Sequence, residues 1–328
     1  MTARRVLMVT ESERLGAAAV ASARSDGRLR RALDSDLIYS FCRSPVTVIA
    51  AVGTVLMIGS ALLCPWIAPH NPFDLASLNI LDATDPPAWV KGGSWSYPLG
   101  TDEQGRDMLS AILYGMRLSI AVGFAAVALA ATFGVSLGLI AGFAGGWIDT
   151  LIMRIADVLL SFPAILVALL VDGVARSVLP RDQQDAIAIY VVVLAISVLP
   201  TVQFARTVRG STLVERNREY VQAARIIGVH PALIAVRHIL PNVLGPVLVI
   251  ATINLALAII NEATLSFLGL GLPPTQPSLG TLIRVGQNYL FSGEWWMVLF
   301  PSATLAGLAL AVNLLGDWLR DALNPKLR

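Results

Sequence analysis

The sequence predicts an all-α integral membrane protein with six transmembrane helices. Three observations carry that prediction. Of its 328 residues, 55% are hydrophobic and only 14% charged, where a soluble domain carries about 25% charged residues. Six segments are long and apolar enough to cross a hydrocarbon core about 30 Å thick: 46–68, 118–142, 148–171, 186–204, 243–268 and 296–318. Finally, the 24 Lys and Arg residues fall mostly on one side of the alternating connections, as the positive-inside rule requires.

The N-terminal stretch, 1–40, reads as a cytoplasmic tail. Arg4 and Arg5 precede an apolar run at 6–9 that is too short for a signal peptide and is ended by Glu11 and Glu13. The first span follows within 41–116. If 45–66 is helical, Cys42 and Cys64 lie about 33 Å apart along it and cannot bridge. The long connection after this span holds Pro69, Pro72, Pro86, Pro87 and Pro98. Its backbone would be unsatisfied in lipid, so it is expected outside the bilayer. It ends in "GRDMLSAILYGMR", where Met108, Leu109, Ile112, Leu113 and Met116 share a helical face. That face fits a short helix at the membrane surface, and equally an extension of the second span.

Within 117–323 the second span carries Gly123, Gly134, Gly138 and Gly142 on one face, which permits close helix approach, expected here against the chain's own helices. In the third span Arg154 and Asp157 are three apart and are expected to pair. Orientation follows from the flanks. Arg4, Arg5, Arg14, Arg24, Arg28, Arg30, Arg31 and Arg43 precede the first span. Arg154, Arg206, Arg209, Arg216, Arg218, Arg225, Arg237, Arg320, Lys326 and Arg328 fall on that same side, against Lys91, Arg106, Arg117, Arg176, Arg181 and Arg284 on the other. Both termini are therefore expected in the cytoplasm.

The connection 205–242 is then cytoplasmic as well. In "EYVQAARIIGVHPALIAVRHILPN", Tyr220, Ala223, Ala224 and Ile227 follow helical spacing, and Ala232, Ala235, Val236 and Ile239 repeat it. Gly228 is expected to end a first helix in the left-handed conformation and Pro231 to begin a second. Pro241 is expected to stop that second helix before the membrane is re-entered. Two small-residue stripes on polar helices fit a docking surface, and equally packing on the chain's own bundle.

On the fifth span, Asn254, Asn261 and Glu262 are polar residues in an apolar setting, which by default marks function. They could line a translocation path or bond neighbouring helices. Asn313 and Asp317, on the sixth, are expected to anchor its cytoplasmic end. His70, His230 and His238 lack metal-ligand spacing, so no metal site is expected. No GxxxxGK[ST] loop and no HExxH is present, so neither nucleotide hydrolysis nor metal-dependent proteolysis is expected of this chain. No nucleophile–base constellation is evident either, and no catalytic residues are expected. An ion-coupled secondary transporter stays open, although that class favours broken helices at the midplane.

The 219–241 stretch resembles the cytoplasmic "EAA" loop of permease subunits in ATP-binding-cassette importers. That pattern is Glu-Ala-Ala, three residues, Gly, nine residues, then Ile, any residue, Leu-Pro. Ala223, Ala224, Gly228, Leu240 and Pro241 match in register, while Gln222 stands for the Glu and His238 for the Ile. Glu219 supplies an acidic residue three positions earlier. "RHILPN", "LGTDEQGRDMLSAILYGMRLS", "GFAGGWIDTLIMRIADVLLSFP" and "NEATLSFLGLGLPPTQPSLG" are similar to the branch serving oligopeptides, dipeptides and nickel, with Leu279 where that branch usually has Trp. The added N-terminal span is similar to that of the second-permease subunit.

The resemblance implies a type I importer permease fold in the cytoplasmic (inner) membrane, with lipid around it and no nucleic acid. It implies coupling to partner ATPases through Glu219, Tyr220, Gln222, Ala223, Ala224, Ile227, Gly228, Leu240 and Pro241. The implied partners are a homologous second permease, two ATP-binding subunits that hold ATP and Mg, and an external solute-binding protein. No cofactor is expected on this chain. Peptides are the implied cargo, with nickel chelates or another small solute as the alternative.

Overall fold

The structure, a computed structural model, describes residues 41, 43–73, 80–273, 276 and 278–323. The predicted tail, Cys42, residues 74–79 within the connection after the first span, and Lys326 and Arg328 lie outside the described residues. The chain divides into two compact units, Met1–Ile49 and Ala50–Arg328. In the first, the Thr47 hydroxyl donates to Ser44 Oγ at 2.8 Å as a helix begins. No strand forms among the described residues, and a single antiparallel bridge joins Thr101 to Asp107.

The helices are α1 (Pro45–Leu62), α2 (Cys64–Ile67), α3 (Met108–Ala144), α4 (Gly146–Leu160), α5 (Ala164–Val178), α6 (Arg181–Glu215), α7 (Glu219–Ile226), α8 (Pro231–Ile234), α9 (Leu240–Phe267), α10 (Leu279–Gln287) and α11 (Trp296–Leu323). By length and apolarity α1, α3, α6, the run from α8 through α9, and α11 can each cross a membrane. The bent pair α4 and α5 makes the sixth span when counted as one.

Two expectations need correction, and one open alternative is decided. The third span is not one helix: α4 and α5 meet at 97°. Pro163 lacks the N–H that a continuing helix needs and forces its predecessor out of the helical region. The "GRDMLSAILYGMR" helix is no separate surface element but the first turns of α3, which runs unbroken through Ala144. Asp107 caps it, accepting from Ser110 N at 2.9 Å. Pro241 does not stop a helix either. A π-turn over Ala235–Ile239 joins α8 to α9, with Leu240 N–H donating to Ala235 O. The five-residue step absorbs the ladder hydrogen bond that Pro241 cannot make.

Two apolar cores hold the larger unit. One joins Met108, Ile112, Ile259, Leu279, Trp296 and Leu308. The other runs from Ala130, Phe204 and Val208 in the spans to Val221, Ala224, Ile234 and Ile239 in the 216–240 connection. Between α3 and α6 the approach is set by glycine. A Cβ on Gly138 would lie 2.4 Å from Ala205 O, and one on Gly134 2.5 Å from Thr201 O. Gly142 meets Thr212 of α6, while Gly123 instead faces Ile259 of α9. The glycine face thus serves the chain's own helices, as expected, but it serves two of them.

At the far end from the 216–240 connection, the described part of the long loop is folded. Buried Asp102 and Arg106 pair at 2.5 Å, and Trp296 Nε1 donates to Thr101 O at 3.1 Å. Nearby, Arg176 of α5 pairs with buried Asp172 at 2.7 Å. It also donates to Leu270 O and Gly271 O at 3.0 and 3.1 Å, tying α5 to the turn after α9.

Candidate functional site

The connection between α6 and α9 is built as a rigid knuckle. Helix α7 ends with Gly228 at φ +80. Gly228 N–H donates to Arg225 O at 3.1 Å and Val229 N–H to Ala224 O at 3.0 Å. This pair of bonds is the Schellman ending, which needs a left-handed residue at that position. Nothing lies within 4 Å of a Cβ placed on Gly228. The position therefore needs glycine for its backbone conformation, not for space. His230 then caps α8, its Nδ1 accepting from Ala232 N at 3.3 Å, and Pro231 supplies the first turn.

The knuckle is fastened to three spanning helices. The Tyr220 hydroxyl donates to Glu215 Oε2 at the end of α6 at 2.6 Å. It accepts from Asn242 Nδ2 at the start of α9 at 3.1 Å. Burial first, and then the Glu215 carboxylate, push the Tyr220 phenol above its ordinary value. Arg216 Nη1 donates to Gly142 O of α3 at 2.9 Å. The Arg225 guanidinium stacks 5.4 Å over the Phe143 ring. These contacts tie the knuckle to the ends of α3, α6 and α9.

The two predicted stripes divide by side. Val221 and Ala224 on α7, with Ile234, Ala235 and Ile239 beyond Gly228, face the core. Ala223, Ala232 and Val236 face outward, with Tyr220, Ile226, Ile227 and Leu233. Ile226 is 85% and Ile227 78% exposed. Spacing put Ala223 and Ala224 on one stripe, but so short a helix packs only a narrow edge, and adjacent residues point about 100° apart. Glu219, Gln222 and Pro241 are exposed and Leu240 is half-buried. Gln222 Nε2 donates to Asn217 O at 3.1 Å.

The polar residues of the fifth span do not converge. Asn254 is buried and donates to Ile250 O on its own helix at 3.0 Å. Asn261 is half-buried beside Ala164 and Pro200. Glu262 is wholly enclosed, accepting from Ser119 Oγ at 2.6 Å and Ser266 Oγ at 2.7 Å. Those serines accept in turn from Leu279 N and Leu272 N, each at 3.3 Å, so the carboxylate anchors both ends of the α9–α10 connection.

Arg154 and Asp157 do not pair with each other. Asp157 pairs with Arg206 and Asp149 with Arg209, both joining α4 to α6. These partners are 49 and 60 residues apart. No local spacing signals them, though the presence of charge in apolar segments did. Asn313 and Asp317 are both exposed on α11. Among the described residues no His, Cys, Asp and Glu cluster could hold a metal ion.

Comparison with known proteins places this geometry. Residues 134–328 match the family described as binding-protein-dependent transport system inner membrane component. The chain is 38% identical to the dipeptide transport system permease protein of Haemophilus influenzae, over 85% of this chain and 91% of that one. It is 37% identical to the glutathione transport system permease protein of Pectobacterium atrosepticum, over 88% and 89%. In structure it is similar to a chain of the inward-facing MetNI methionine ABC transporter, with a TM-score of 0.52 and 20% identity over 66% of this chain and 98% of that one.

Proposed function

Because the chain belongs to the binding-protein-dependent transport system inner membrane component family, we propose that it is the permease subunit of an ATP-driven importer of peptides. Its fold is that of a type I importer permease in the inner membrane. The cargo follows from the relatives, whose names specify dipeptides and glutathione. ATP hydrolysis falls to partner subunits.

The knuckle is the coupling element. One observation carries this: Ile226, Ile227, Leu233 and Val236 form an exposed apolar cap on the same core that holds α3 and α6 together. An exposed apolar cap beside Arg218, Arg225 and Arg237 fits a protein groove. The excess of Arg on this side supports a cytoplasmic position for the cap and for both termini. Two ATP-binding subunits holding ATP and Mg grip this cap and that of a homologous second permease. A solute-binding protein delivers cargo at the opposite face. Closure of the ATPases then turns the knuckle, and through Tyr220, Arg216 and Arg225 the spans, between two access states.

The test is uptake of labelled dipeptide into proteoliposomes holding the full complex. Uptake is expected only with ATP, and it is expected to fall together with ATPase co-purification when Ile226 and Ile227 are both changed to Asp. Uptake driven by an ion gradient with no ATPase present would end the proposal.

A further inference from the structure

The long connection after α2 carries a small closed tip. Thr101 N donates to Asp85 O at 2.9 Å and Ala88 N to Pro98 O at 3.3 Å, which joins its two arms. Between them Val90 N donates to Pro87 O at 2.8 Å, Gly93 N to Val90 O at 2.9 Å and Tyr97 N to Ser94 O at 3.1 Å. A Cβ on Gly93 would lie 2.1 Å from Pro87 O, so the chain folds tightly back on the proline corner. This ordered tip leaves Trp89 59% and Trp95 80% exposed, with exposed Lys91 between them. Among the described residues Lys91 makes no ion pair.

Three observations set the level of the tip. First, no Asp, Glu, Lys or Arg occurs between Glu294 and Asp317, and Trp296 to Gly316 is a rise of about 30 Å. That equals the hydrocarbon thickness. With Asp317 at one boundary, the start of α11 lies at the other, and Phe300 about one turn inside it. Second, the tip is fixed to that turn. Trp89 packs edge-on against Phe300 with ring centroids 6.0 Å apart, and Trp295 packs on the same ring at 5.8 Å. Trp296 Nε1 holds the arm of the tip through Thr101 O at 3.1 Å. Third, α1 runs antiparallel to α11. A Cβ on Gly53 would lie 3.9 Å from Ala311 Cβ, and one on Gly307 3.9 Å from the Met57 side chain. Continuing that register carries α2 to the first turn of α11, and there Trp66 is 83% exposed. Trp66, Trp89 and Trp295 therefore share one layer, at the membrane boundary far from the knuckle.

Exposed tryptophans also suit a protein partner, but lysine is depleted at the core of protein interfaces. Tryptophan with lysine is what a lipid–water boundary selects, with the indole among the headgroups and the ammonium on phosphate. We propose that this tip is a lipid anchor: Trp89 sits at the hydrocarbon boundary, Trp95 lies in the headgroup layer, and Lys91 meets a lipid phosphate. The connection is thereby laid against the bilayer rather than raised from it. The placement depends on α11 crossing the membrane and not on cargo or coupling, so its test needs no uptake.

The experiment uses the full complex in nanodiscs of phosphatidylcholine, alone or mixed with phosphatidylglycerol, with Cys42→Ser and Cys64→Ala as the background. Ser96→Cys, nearly isosteric and at an exposed position of the tip, carries an environment-sensitive fluorophore and leaves Trp89, Lys91 and Trp95 in place. Quenching by a lipid with a nitroxide at its headgroup is expected to exceed quenching by iodide in the water. Changing Trp89 and Trp95 together to Phe keeps a ring on Phe300 and is expected to reverse that order. Lys91→Gln is expected to weaken the preference of the tip for phosphatidylglycerol over phosphatidylcholine by about fivefold. Quenching by iodide alone would put the tip in water, and protection from both quenchers would put a protein over it; either overturns the proposal. So would an unchanged pattern in the Phe variant, or an unchanged lipid preference in Lys91→Gln.

Discussion

Gly228 offers a test in which conformation and bulk separate. At φ +80 an L-residue pays for its Cβ meeting its own backbone, about 1–2 kcal/mol. No other atom lies within 4 Å of the added carbon, so alanine adds no clash. The two Schellman bonds at 3.1 and 3.0 Å give the structure reason to hold the angle rather than relax it. Gly228→Ala should therefore lower the population of the docking-competent knuckle by roughly 5–30-fold, the equivalent of that free energy. Gly228→Val should cost more, because branching at Cβ worsens the left-handed conformation. Gly228→Asn should lie close to the original residue, since Asn visits that region readily. The assay is the affinity of the solubilised permease for its ATPase partner, with proteolysis of the 216–240 connection as a partner-free readout. The order Gly, Asn, Ala, Val is the signature. If Asn were as damaging as Val, bulk at a crowded contact would be the cause and the conformational argument would be wrong.

Further outcomes follow from the same geometry. Gly138→Leu should prevent stable folding, because its Cβ would sit 2.4 Å from the backbone oxygen of Ala205, whereas Gly210→Ala has open space and should hold or gain about 0.5–1 kcal/mol in detergent melting. Glu262→Ala should lower thermal stability by about 1–3 kcal/mol, because the buried Ser119 and Ser266 hydroxyls lose their acceptor; an unchanged melting temperature would show that the carboxylate anchors nothing. Tyr220→Phe should weaken ATP-driven uptake, and adding Asn242→Ala should cost only what its separate bond to His238 O at 2.8 Å contributes, because the Tyr220–Asn242 bond is already lost. The Tyr220 phenol is raised above its ordinary 10.0, so the stability it contributes is present below the unfolded value and lost as pH climbs through the folded one. Steeper alkaline loss of coupling in the original chain than in Tyr220→Phe is expected.

Membrane passage, the number and rough placement of spans, and the small-residue knuckle were legible in the amino-acid order because each depends on local chemistry. An apolar run of about 20 residues needs lipid whatever lies beside it, and a glycine that ends a helix, as Gly228 does, acts within one turn. What stayed hidden depends on neighbours far along the chain. The partners of Asp149 and Asp157 come from α6, so helical spacing pointed to Arg154 for Asp157 when the third dimension supplied Arg206. Pro241 looked like a stop because the π-turn that accommodates it involves no distinctive residue. Glu262 invited a path role because a buried carboxylate is costly, and only the fold brings Ser119 from 143 residues away to pay that cost. Local propensity and solvent preference were settled by residue order, whereas which charged and polar side chains pair with one another was settled when helices from distant parts of the chain packed together.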